Sequence, residues 1–333
     1  MNRGSVLLTC AGQRVDVVRA FQQAMATVGW EGEVVCVDSH PLSPALFAAG
    51  AGSVVPPIAS DGYLPALLEL VARHRVGVVL PLTDLDGREL CTARERLAAA
   101  GATLMLPAGD IVESLWDKYR AHQLLRERGI GSPDTWLPGE VPADCGFPLL
   151  VKQRWGWGSR NIHRCADRQQ LDLFLRYVET PTMVQRACAG EEFSIDVLCD
   201  LERRALNVIP RTMIESKGGE SIKGMTLADP ALIEFGRTAA EAIGLVGPAT
   251  IQCFGDPEGL LVTDVNTRFG GGFPLPLAAG SRYPELVLRL VDGETVEPHV
   301  GRFTPGVTMS RFYDTLILEN PPEGTRGLSR RPR

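Results

Sequence analysis

A two-part α/β chain is predicted, with a doubly wound parallel sheet at the N-terminus and an α+β region after it. Three observations carry the prediction. The first third alternates short apolar runs with amphipathic helical patterns, as parallel sheets covered on both faces do. After Pro107 that alternation stops, and "GSPDTWLPGEVPADCGFP" leads the chain into a new strand, "LLVKQ". Near residue 255 two apolar runs flank "GDPEG", a turn between antiparallel strands.

The elements follow in order. "SVLLTC", "EVVCVDS", "VGVVLPLTD" and "ATLMLP" read as strands, separated by helices over "VDVVRAFQQAMATVG", "YLPALLELVARHR" and "GRELCTARERLAAAG". Ligands of such sheets gather at the carboxyl ends of the strands. That rim carries "TCAGQR", "VDSHPLS" and "PLTDLDGRE". A dinucleotide fingerprint needs G-x-G-x-x-G, and only Gly12 is present, so no nicotinamide cofactor is expected. Next come the helix "DIVESLWDKYRAHQLLRERGI", stopped by Gly129, the strand "LLVKQ", a glycine loop "RWGWGSRNIH", the helix "RQQLDLFLRYVE" and the strand "TMVQRACAG". A second sheet is expected over "EEFSIDVLCD", "ALNVIPRTMI" and "ATIQCFGDPEGLLVTDVN", with "PALIEFGRTAAEAIG" as its helix. The helix "SRYPELVLRLVDG" and a strand "GVTMSRFYDTLIL" close the ordered chain. Expected domains are therefore 1–107, 108–187 and 188–320, with 321–333 too poor in apolar residues to order.

Bulk properties narrow the function. The 333 residues are 44% hydrophobic, enough for two or three packed cores. The net charge is −6 and no basic run exceeds a pair before the terminal "SRRPR", which argues against a nucleic-acid surface. No apolar run approaches the roughly 20 residues that cross a bilayer, and the N-terminus is too interrupted for a signal peptide. Eight scattered cysteines without a CxxC pair fit reduced thiols in a cytoplasm. His163 and Cys165 are two donors, too few for a metal site.

The end of "LLVTDVNTRFGGG" holds the most informative cluster. Asp264, Asn266 and Arg268 alternate, so they project from one side of a strand. Gln252 lies on the partner strand, where it could face Asp264. Oxygen donors from Gln, Asp and Asn suit magnesium when phosphate oxygens complete its shell. Arg268 sits where a planar cation could grip a transferring phosphoryl group. Lys152 precedes the glycine loop, Lys118 stands 34 residues before it, and "MVQRACAGEEF" runs a strand into a glycine turn and two glutamates.

In this order "DKYRAHQLLRERGI", "FPLLVKQRWGWGS", "VQRACAGEEFSIDV", "ATIQCF" and "VTDVNTRFGGG" resemble the ATP-grasp superfamily, in particular its carbamoyl-phosphate-synthase-like amino-acid ligases. The resemblance runs from "LLTCAGQR" to the helix after "RFGGGFPL". It implies a nucleotide-gripping unit in two parts behind the N-terminal domain. It implies Lys118 and Lys152 on the α- and β-phosphates, under the loop from Gly156 through Gly158 to Ser159. Gln185, the backbone of Arg186 and Cys188, and Glu192 would receive adenosine. Gln252, Asp264 and Asn266 would hold two Mg²⁺ ions, with Mn²⁺ able to substitute. Arg268 would act on the phosphoryl in flight, with Arg211, Lys217, Glu220 and Lys223 on a mobile stretch beside it. Gly271 and Gly272 would shape the acceptor side, and Asp38, Asp84 and Asp86 are candidates for a substrate amino group, His40 lying beside them.

The chain departs from the family at three places. Asp264 replaces a more usual Glu, Gln185 stands where many members have Glu, and Thr250 where the carbamoyl-phosphate enzymes have Asn. No glutaminase domain and only one grasp unit are present, which disfavours carbamoyl phosphate synthesis itself. The reaction implied is ATP-dependent joining of a small carboxylate to an amine through an acylphosphate, giving ADP. The alternatives are a small-molecule kinase and an ATP-binding protein without chemistry. No nucleic-acid or membrane partner is expected, and a homodimer is left open.

Overall fold

The computed structural model describes residues 4–156, 161–217 and 220–319. Two compact units are present. One comprises the described residues of 1–106, 282–296 and 312–319; the other comprises those of 107–281 and 297–311.

The first unit is built on a five-stranded parallel sheet. Its order is Ala51–Val54, Val34–Asp38, Ser5–Thr9, Val76–Pro81 and Thr103–Leu104. The strand order reverses at Ser5–Thr9, whose five residues are all buried, as a central parallel strand requires. Two elements escape the sequence reading: a short helix, Pro44–Ala48, and the edge strand Ala51–Val54. "AGSV" has too little apolar surface to announce a strand, and its alternate residues are half-buried or exposed. Tyr283–Val291 packs against the helix Val15–Val28 in this unit.

The second unit holds three sheets. Thr135–Trp136, Thr182–Arg186, Leu149–Gln153 and His163–Cys165 form a lid sheet in that order, packed on Arg168–Tyr177 through Leu171. The main antiparallel sheet runs Ala205–Thr212, Glu192–Cys199, Gly247–Asp256 and Gly259–Asn266. Alternation gives it two unlike faces. Ile195, Val197, Val208, Ala249, Ile251, Cys253 and Val265 belong to one apolar core with Leu232, Ala239, Ala240 and Ile243 of the helix Pro230–Ile243. That helix starts on Asp229, whose side chain accepts from the N–H groups of Ala231 and Leu232, and stops on Gly244 in the left-handed region. Gly236 lets it lie close on the sheet: a Cβ there would stand 2.6 Å from Ile195 Cγ2.

The third sheet joins Glu215–Lys217, Glu220–Met225 and Thr308–Ser310. The expected strand over "GVTMSRFYDTLIL" is therefore confined to Thr308–Ser310. Beyond it Phe312, Tyr313 and Ile317 are exposed. The expected tail, 321–333, lies outside the described residues. Among the described residues no helix is long and apolar enough to cross a membrane.

Candidate active site

The opposite face of the main sheet is polar, and the register shows why. Ser194 pairs with Arg211 on one side and Gln252 on the other, and Gln252 pairs with Asp264. One step along, Asp196 pairs with Thr250, and Thr250 with Asn266. Two rows of polar side chains thus cross the strands, with Glu192 on the same face at the rim. A β-bulge makes this alignment possible. From the turn, Asp256 pairs with Gly259 and Cys253 with Val262, which would set Gln252 against Thr263; the register slips there, and Asp264 takes the place. The extra residue turns Val265 into the core and leaves Asp264 and Asn266 on the polar face.

Three cations converge on the single carboxylate of the expected metal set. Lys118 Nζ donates to Asp264 Oδ1 at 2.7 Å. Burial pushes the Asp264 carboxyl up, but Lys118, then Lys152 and Arg268, outweigh it and hold the group below the usual range. Lys152 Nζ donates to Gln185 Oε1 at 2.7 Å, and Gln185 Nε2 donates to Thr135 Oγ1 at 3.0 Å. With a neutral amide for an acceptor, Lys152 is pulled down to about 8, by burial first and by Lys118 second. Glu192, half-buried, is pushed up by burial against the pull of Lys152 and Arg211. Arg268, past the strand end, reaches back through Nη2 to Asn266 Oδ1 at 3.0 Å.

Hard oxygen donors from Gln252, Asp264 and Asn266 fit magnesium, which accepts one or two carboxylates when phosphates supply the rest. Among the described residues no group of three or more His, Cys, Asp or Glu side chains could hold a metal ion. An ion here would therefore depend on oxygens brought by the nucleotide.

Several expected residues sit differently from their sequence reading. Arg211 is on the strand Ala205–Thr212, not a mobile stretch: it is 2% exposed, and its Nε donates to Asp196 Oδ2 at 2.7 Å. Its guanidinium lies under the glycine turn, where a Cβ on Gly272 would approach Arg211 Cζ to 2.5 Å. The neighbouring Gly271 carbonyl accepts from Arg311 Nη2 at 2.6 Å. The Arg186 N–H donates to the Asp134 carbonyl at 2.9 Å, while the guanidinium pairs with Asp256 and Glu258. Cys188, beside it, is half-buried. Asp86 is not on an open rim. It is fully buried, accepts from Tyr63 Oη at 2.7 Å, and burial raises its pKa. Both oxygens of Asp38 are engaged by local N–H groups, those of Gly12 and His40, at 2.8 Å each. Asp84 is half-buried in the same rim. Lys223 pairs with Glu215 at 2.6 Å on the small sheet. Gly156 closes the described part of its loop; Gly158 and Ser159 lie outside the described residues, as do the side chains of Lys217 and Glu220. Asp117 and Arg154, absent from the sequence reading, bind each other beside Lys118.

Comparison with known proteins agrees with this architecture. Residues 6–105 match the model of a PylC-like N-terminal domain, and 179–314 that of an ATP-grasp in the biosynthetic pathway with Ter operon. The chain is 24% identical over 259 residues to a carbamoyl phosphate synthase large chain from Agathobacter rectalis, covering 71% of this chain and 24% of that one. A C-terminal section of the same enzyme from Methanopyrus kandleri is 27% identical, covering 80% of this chain and 50% of its own length. The chain thus spans a quarter to a half of these curated relatives. Among solved structures, a biotin carboxylase–β,γ-ATP complex from Campylobacter jejuni superposes with a TM-score of 0.72 at 16% identity, over 91% of this chain and 73% of that one. An L-amino acid ligase from Bacillus licheniformis gives 0.70 at 16%, over 92% and 78%. Fold and site together are those of a nucleotide-gripping protein, and residues 179–314 are similar to the ATP-grasp family. Within it, the sequence relatives are of the carbamoyl-phosphate-synthase type.

Proposed function

We propose that the protein is an ATP-dependent carboxylate–amine ligase that forms an amide on an amino-acid substrate through an acylphosphate. The observation that carries the reading is the polar sheet face, where Lys118, Lys152 and Arg268 surround Asp264. Such a face is built for a polyanion and for charge that moves during reaction. Lys118 and Lys152 take the α- and β-phosphates, and Glu192 takes the ribose. Gln252, Asp264 and Asn266 hold magnesium, as two ions that manganese can replace, which supplies charge neutralisation on the phosphates when bound. Arg268 steadies the γ-phosphoryl group.

A substrate carboxylate oxygen attacks the γ-phosphorus, the bond to the β,γ-bridging oxygen breaks, and ADP leaves. The amine of the second substrate attacks the acyl carbon, the carbon–oxygen bond to phosphate breaks, and phosphate leaves as the amine gives up its proton. Acylphosphates hydrolyse, so the site must exclude water, a task suited to the glycine-rich sequence after Lys152 and to the paired strands Glu215–Lys217 and Glu220–Met225. A cytoplasmic setting goes with the eight cysteines, all of them free thiols.

The test is a screen of paired amino acids, read by coupled ADP release and by mass spectrometry of products. An amide formed with ADP and phosphate is expected. AMP formation would remove the acylphosphate route, and ADP release with one phosphorylated substrate and no amide would make the protein a kinase.

A further inference from the structure

Lys118 opens a helix and Lys152 lies next to the last residue of a strand, so nothing local in the chain fixes their spacing. Arg154 does. Its Nε donates to Asp117 Oδ1 at 3.1 Å, and its Nη2 donates to Asp117 Oδ2. Asp117, with a side chain 4% exposed, is the cap of the Lys118–Glu127 helix and accepts from the N–H groups of Tyr119 and Arg120. The backbone repeats the tie: Lys118 N–H donates to the Arg154 carbonyl at 2.9 Å, and Arg154 N–H to the Pro181 carbonyl at 3.0 Å. The guanidinium also lies 4.9 Å from the Trp155 ring centre and 5.8 Å from that of Tyr119. A two-pronged pair to a buried carboxylate, with ring contacts, is a geometric constraint that a solvated surface pair is not.

We propose that Arg154, through Asp117, is a positioning residue that fixes Lys118 against Lys152, so that one polyphosphate meets two cations at a set spacing. The proposal rests on the nucleotide role given above to those two lysines. It has a consequence that a purely structural clamp lacks. The charges facing Lys152 are Lys118, Asp264, Glu192 and the Cys188 thiol, beside the neutral Gln185 amide. Of these Lys118 is the one that pulls Lys152 down. If Lys118 drifts, the titration of Lys152 moves up towards that of a free lysine.

The experiment is titration of ADP into the full chain between pH 6.5 and 10, for wild type, Arg154→Ala, Arg154→Lys and Asp117→Ser. Serine keeps a helix cap while deleting the ion pair, so the test survives if Arg154→Ala does not fold. Wild-type affinity is expected to fall through a midpoint near 8, as Lys152 loses its proton. Arg154→Ala and Asp117→Ser should bind roughly tenfold more weakly at pH 7, the order expected for one misplaced charge-assisted contact, with the midpoint moved upwards. Arg154→Lys should recover part of both. Unchanged affinity, or weaker binding with an unmoved midpoint, overturns the proposal while leaving the nucleotide site in place. Failure of wild type to bind ADP at all would bring down the functional reading itself.

Discussion

Lys152 shows how much one half-buried cation can reveal. Its hydrogen-bond acceptor, Gln185, carries no charge, and the group is pulled down to about 8. A lysine in that state is stabilised by an incoming anion more than one already paired. Bound phosphate favours the protonated form, so affinity is greatest below pH 8 and declines as pH rises through it. Lys152→Ala should weaken ADP binding roughly 10- to 100-fold at pH 7, the range for a lost charged hydrogen bond of about 1.5–3 kcal/mol. Asp264→Asn should bind ADP nearly normally yet lose turnover, since its carboxylate serves the metal and not the ground-state phosphates. Calorimetry beside a rate assay separates the two; equal affinities and rates in wild type and both variants would void the assignment. Asp264 also predicts how metal enters. Its Oδ1 accepts from Lys118 at 2.7 Å, and the other expected donors, Gln252 and Asn266, are neutral amides. Mn²⁺ mixed with the protein should therefore keep its free-ion electron-spin signal until ADP is added, and loss of signal before ADP would contradict this.

At the scale of elements, packing rather than propensity sets the constraints. Gly236 sits inside a helix, where alanine would ordinarily help by about 1 kcal/mol. A Cβ there meets Ile195 Cγ2 at 2.6 Å and Val208 Cγ1 at 2.9 Å, both in the core face of the sheet. Overpacking of this kind costs about 1–3 kcal/mol, so Gly236→Ala should lower the denaturant midpoint. A midpoint that stayed or rose would show that the helix can lift off freely. The sequence reads well wherever period and turn chemistry speak locally. The alternating strands of the first unit, the "GDPEG" hairpin and the polar strand end around Asp264 were legible for that reason. Features carried by non-local contact were not. The bulge at Thr263 leaves no mark in composition, although it decides which face Asp264 occupies. Arg211 stands in the expected strand "ALNVIPRTMI", yet the resemblance places it on a mobile stretch; its ion pair with Asp196 across the strands fixes it instead. Asp86 looks like a rim carboxylate until Tyr63, 23 positions away, covers it. "FYDTLIL" is rich in the aromatic and aliphatic residues of strands, yet the strand stops at Ser310.

At the scale of the whole molecule, the first unit poses the sharpest question, because a five-stranded doubly wound sheet invites a dinucleotide. Its strand order reverses at Ser5–Thr9, and ligands of such sheets settle at that reversal. Two features argue that this one takes no NAD or NADP. The turn after the first strand, "TCAGQR", has a single glycine, so no second bare backbone lets a pyrophosphate approach. The acid at the end of the second strand, which in dinucleotide sites grips the ribose, is Asp38, and it accepts from Gly12 N–H and His40 N–H at 2.8 Å each. The loop has thus closed on its own carboxylate, and a ribose would have to break both bonds. Thermal-shift measurements of the full chain with NAD, NADP and Mg·ATP should respond to ATP alone, by several degrees at saturating ligand. Stabilisation by either dinucleotide without ATP would show that the Asp38 loop opens, and that the first unit binds a ligand of its own.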